Sequence, residues 1–179
     1  MSMIYSDHFE DPSLPATDTL VLPYEVRCRR RHHGLRMPNG EEFGYHLPPG
    51  ACLRNGDKLV ATDGVRERVV AIVAAHEALV EVRAGDALQL ARAAYHLGNR
   101  HVALEAGSDG KGPFLRMQPD HVLEAMLLGL GCSVQPLTAP FQPEGGAYER
   151  HVHAGAADRH NQGGHAHDHE HGPRIHEFR

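Results

Sequence analysis

Beyond Ala147 and Tyr148 hydrophobic residues almost disappear, and this break bounds what the chain can fold into. Downstream, Gly, Ala, His and charged residues take over. Such a segment cannot bury enough apolar surface to offset the entropy lost on ordering it. The packed part is therefore expected to end near residue 148, with 149–179 a disordered tail. That tail holds eight of the sixteen histidines in the chain: His151, His153, His160, His165, His167, His169, His171 and His176.

Upstream of the break, residues 1–75 carry the punctuation of a small all-β domain. The runs LVLPYEVRCR, FGYHL, KLVAT and RVVAIVAA are separated by MPNGEE, LPPGACLRNGD and TDGVRE. Asn39-Gly40, Asn55-Gly56 and Asp63-Gly64 are turn dipeptides that accept positive φ. Leu20, Leu22, Tyr24, Val26 and Cys28 alternate, which predicts one inward-facing row on a single strand. Glu25, Arg27 and Arg29 would then lie on the opposite face.

The pattern changes at residue 76. EALVEVRA reads as a strand, and Asp86 is placed to cap a helix running through DALQLARAAYHL. Leu90, Ala94 and Leu97 share one face of it, and Gly98-Asn99 is expected to stop it. VALEA and FLRM read as strands joined by the turn SDGKGP. A second helix starts near Pro119-Asp120, carries Val122, Leu123, Met126, Leu127 and Leu130, and ends at Gly131. SVQPL is the last strand. The order βαββαβ over 76–148 is the ferredoxin-like arrangement, so the fold class is α+β.

Formal charge is −5 with histidine neutral, which argues against a general binder of nucleic acid or anionic membrane. RCRRRHHG, residues 27–34, reads as a solvated strand end or a face for an acidic partner. Cys28, Cys52 and Cys132 are far apart and form no C-x-x-C pair; they read as reduced, mostly buried thiols. No apolar run is long enough for a membrane span, and the acidic start lacks the pattern of a secretory signal. A cytoplasmic protein is expected.

The chemistry lies in the imidazoles, which bind nickel, copper, zinc and cobalt. His165, His167, His169 and His171 alternate with small and acidic residues, so a metal can be wrapped in several registers with weak selectivity. Binding is expected to weaken as pH falls through roughly 6 to 7, because only neutral imidazole ligates. In the packed part, YHLGNRHVALEAG places His101 between a helix stop and a strand. One imidazole makes no useful site by itself, and the cheapest source of another is a second copy of the chain. A metal-dependent hydrolase is disfavoured because His76-Glu77 lacks the second histidine of H-E-x-x-H. G-x-S-x-G, the P-loop and the dinucleotide fingerprint are also absent, so no enzyme is expected. A passive nickel or zinc store is the alternative.

YHLGNRH, PDHVLEAMLLGLG and APFQPEGGAY together resemble the UreE-type urease accessory proteins, which are nickel metallochaperones; LPPGACLRNGDKLVATDG matches their N-terminal domain. The resemblance covers residues 20–148. It implies an Hsp40-like peptide-binding N-terminal domain. It also implies a homodimer in which His101 meets its symmetry mate around one nickel ion, with tail histidines supplementing the site. His96 and His121 match positions that bind further metal in some members. Another such position falls at Pro119, which carries no ligand, and this puts an auxiliary site in doubt. The implied partners are the GTPase UreG, UreF, UreD (UreH in some organisms) and apo-urease. Seventeen residues separate Tyr148 from His165. A flexible chain of that length spans roughly 20–25 Å, so the tail cluster would stand near the interface at about millimolar effective concentration.

Overall fold

The computed structural model describes residues 3–9, 15–62 and 64–145, the first of these segments as backbone. Two sheets organise them. The first has six strands in the order β2-β6-β5-β1-β4-β3, built from β1 (Met3–Phe9), β2 (Asp18–Leu22), β3 (Arg31–Arg36), β4 (Glu42–His46), β5 (Lys58–Thr62) and β6 (Glu67–Ala74). Period-two burial runs through β5 and β6, where Leu59, Ala61, Val70, Ile72 and Ala74 are buried. With Leu20, Leu22, Phe43, Tyr45, Leu47 and Leu53 most of these make the first core. The Tyr45 hydroxyl donates to the Val26 carbonyl, and burial pushes its pKa up to about 12.

Two expectations for this half are corrected. LVLPYEVRCR is not one strand: β2 stops at Leu22, and Tyr24–Arg27 form a short helix, α1. Pro23 starts the helix, its carbonyl accepting from the amides of Val26 and Arg27, and the helical turn carries Arg27 to the inside rather than to the opposite face. Cys28 and Cys52 are not separate thiols either, because a disulfide joins them. The turn that ends α1 brings Cys28 beside the loop before β5, with Cα atoms 4.2 Å apart. Cys132 is the free, buried cysteine, its thiol pKa raised by burial.

The second sheet has the order β10-β7-β9-β8, all neighbours antiparallel, from β7 (His76–Arg83), β8 (Glu105–Asp109), β9 (Gly112–Met117) and β10 (Ser133–Pro140). Helix α2 (Ala87–Gly98) follows β7 and α3 (His121–Gly129) follows β9. This is the ferredoxin-like βαββαβ order, with the two outer strands closing around β7 and β9. Val80, Val82, Ala93, Leu97, Leu115, Met117 and Leu127 form its core. Elsewhere on the same sheet Arg116 links Glu81 and Glu105, and Arg83 links Glu81 and Asp109. The Arg116 guanidinium also lies 4.1 Å from the centre of the Phe114 ring.

Arg27 joins the two halves. It is 1% exposed; its guanidinium donates to the carbonyl of Phe141 and, at 2.9 Å, to that of Leu53. Gln142 accepts from Arg27 at 3.3 Å and from the Asn55 amide at 3.2 Å. Tyr24 packs edge-on against buried Phe141 and donates its amide to Glu77 at 2.6 Å.

Candidate metal-binding site

Helix α2 begins as its sequence demands: the Asp86 carboxylate accepts from the Gln89 amide at 2.8 Å. Its end is the informative part. The amide of Val102 bonds the carbonyl of Leu97 and the amide of His101 bonds that of Gly98, the paired pattern of a Schellman turn. Val102 packs on the cluster that contains Leu97, closing the turn with an apolar contact. Such a turn needs one residue in the left-handed region, and that residue is His101, with φ of 55°. Gly98 is the last helical residue and Asn99 the C-cap, so the helix stops at Gly98-Asn99 as expected, and the left-handed residue that closes the turn follows at 101.

Helix α3 ends the same way. Cys132 bonds Leu127 and Gly131 bonds Leu128, with Gly131 at φ of 80°. There the left-handed position holds glycine, the residue with least to lose in it. Among the described residues His101 is the non-glycine residue with positive φ. Its side chain is exposed, and the backbone beneath is fixed on both sides. Arg100 turns back to donate to the His96 carbonyl at 2.8 Å, placing a cation at the negative end of the helix.

The other histidines are not gathered around it. His96 is half-buried with its ring edge-on to Tyr95 at 5.5 Å. His121 is the exposed first residue of α3, directly after the Asp120 cap and behind Pro119. Among the described residues no group of three His, Cys, Asp or Glu side chains is placed to hold a metal ion. His151, His153, His160, His165, His167, His169, His171 and His176 lie outside the described residues.

The path toward those histidines is defined as far as Gly145. After β10 the chain turns past buried Phe141; the Gln142 amide donates to Glu105 at 2.7 Å and the Glu144 amide to the Leu104 carbonyl at 2.8 Å. It therefore leaves one edge strand and reaches the start of the opposite one. Leu104 stands three residues after His101. This crossing has no signature among the residues themselves, since neither bond follows a spacing rule.

Two family descriptions match the chain: the N-terminal domain of the UreE urease accessory protein over residues 5–75, and its C-terminal domain over residues 77–171. The chain belongs to the UreE family of urease accessory proteins. The UreE protein of Dechloromonas aromatica is 48% identical over 165 residues, covering 92% of this chain and 93% of that protein. Those of Burkholderia thailandensis and Burkholderia ambifaria are each 49% identical over 138 residues, covering 75% of this chain. The matched part spans 61% and 64% of these two relatives, less than two thirds of their length.

Proposed function

We propose that this chain is a nickel metallochaperone of urease maturation: it binds Ni(II) as cargo and delivers it to apo-urease without catalysing a reaction of its own. The observation that carries this reading is His101 in the left-handed position of the α2 turn. A backbone that favours glycine there holds an exposed imidazole instead, and metal ligation is the chemistry an exposed, rigid imidazole serves best. Because one chain supplies one such group, the site is completed by the His101 of a second copy across a two-fold axis.

Two features of the surface support the pairing. Leu88 and Tyr95, seven residues apart on α2, are 62% and 66% exposed on the helix that leads into His101. The 141–145 segment approaches Leu104, three residues after His101, and in this reading the histidines of 149–179 feed the paired site. In this scheme 1–75 contacts partner proteins, 76–148 dimerises and holds nickel, and the tail gathers ions, which include Zn(II), Cu(II) and Co(II). His96 and His121 are secondary ligands. The partners are UreG, UreF, UreD or UreH and apo-urease, in the cytoplasm.

Nickel titration of the wild-type chain, of His101→Ala and of a chain ending at residue 148 tests this. The truncated chain should keep its tightest ion, with an affinity that rises with protein concentration, and His101→Ala should lose it. Tightest binding confined to the tail would make the protein a nickel or zinc store instead.

A further inference from the structure

The disulfide between Cys28 and Cys52 lies apart from the His101 turn. It closes a 24-residue separation at the point where the two halves of the protein meet. Its neighbours are already tied: the Leu53 amide donates to the Arg27 carbonyl at 3.0 Å, and the Arg27 guanidinium returns a bond to the Leu53 carbonyl. The bond thus fixes the two backbone segments between which buried Arg27 is stretched toward Phe141 and Gln142.

The pair is also reachable. Both cysteines are partly exposed and line an open cavity of about 170 Å³, whose wall includes Arg27, Arg54, Gln142 and Glu144. A sulfur released there would stand in the cavity wall, where an external thiol can reach it for exchange. Cys132, by contrast, is buried in the second core.

We propose that Cys28 and Cys52 form a thiol–disulfide exchange site that locks the first half's side of the joint between the two halves, its co-reactant a low-molecular-weight thiol of the glutathione class. A thiolate attacks one cysteine sulfur, giving a mixed disulfide and releasing the other cysteine as thiolate. A second thiol attacks the mixed disulfide, leaving two protein thiols and one external disulfide; two electrons and two protons have passed to the protein. Oxidised, the segments carrying Arg27 and Leu53 are covalently joined. Reduced, the Leu53–Arg27 hydrogen bonds take over the tie between these two segments.

The full chain is equilibrated in glutathione buffers of varied reduced-to-oxidised ratio. Free thiols are trapped by alkylation and mapped by mass spectrometry, and amide exchange is read at Leu53 and Asn55. The oxidised fraction should follow the buffer ratio, and both amides should exchange about tenfold or more faster after reduction, an opening eased by roughly one hydrogen bond. Cys28→Ser/Cys52→Ser should show the fast exchange in every buffer; if that variant does not fold, reduced wild-type protein supplies the comparison. A pair that stays bonded, or stays as thiols, across all buffers overturns the proposal, as does equal protection in both redox states.

Discussion

His101 occupies in the closing turn of α2 the position that Gly131 occupies in the closing turn of α3, with the same two backbone hydrogen bonds around each. One fold therefore contains both the conformationally relaxed solution and the costly one. A left-handed backbone costs a non-glycine residue about 1 kcal/mol or more, a cost that the proposed ligand role of the imidazole would offset.

His101→Gly should accordingly raise stability by about 1 kcal/mol while removing the tightest nickel. Urea denaturation of the metal-free protein checks the first part. The opposite change, Gly131→Ala, should cost about 1 kcal/mol or more, because φ is 80° and the new Cβ would meet the Gln89 side chain 2.6 Å away.

Arg27→Met removes the guanidinium that serves the carbonyls of Leu53 and Phe141 and leaves those buried acceptors without their donor. A loss of about 3 kcal/mol is expected in chemical denaturation. Arg27→Lys should rescue little of it, since one ammonium cannot reproduce a fork that reaches both carbonyls.

Gly107→Ala should destabilise the second sheet by roughly 1–3 kcal/mol. A Cβ at Gly107 runs into the Phe114 ring, its cross-strand partner, and Arg116 lies over that ring. A lowered midpoint in thermal denaturation, with unchanged nickel stoichiometry, is the expected result.

Acid should weaken the same sheet. Burial alone would push the Glu81 carboxyl up, but its hydrogen bonds to Arg116 and Arg83 outweigh this and hold it below its ordinary 4.5. A carboxyl depressed on folding contributes its full stability above that value and loses it as pH falls through the lower folded pKa. Glu81→Gln should flatten stability against pH below about 4.5, where wild-type protein declines. Denaturant midpoints from pH 6 to 3, all values chosen to span the carboxyl range, would show it.

The half of the fold that local rules govern was legible in the sequence. Asp86 and Asp120 cap the helices they precede, and the runs KLVAT, RVVAIVAA and EALVEVRA become β5, β6 and β7. Strand β1 (Met3–Phe9) escaped because its sequence, MIYSDHF, is too polar to show an alternation. Tyr24, Val26 and Cys28 mimicked a strand because a single helical turn and a strand both allow apolar residues two apart. The Cys28–Cys52 bond and the burial of Arg27 depend on contacts between distant segments, which no spacing encodes. His101 could be singled out from its motif, yet its left-handed backbone becomes visible only through the Leu97–Val102 and Gly98–His101 bonds.

Diffraction at the nickel absorption edge from crystals of the loaded protein decides whether two copies bring their His101 rings to one nickel ion. An anomalous peak is expected on a two-fold axis, bonded to the imidazole of His101 from each copy. Paired chains with those rings tens of ångströms apart, and nickel bound only by tail histidines, would contradict it.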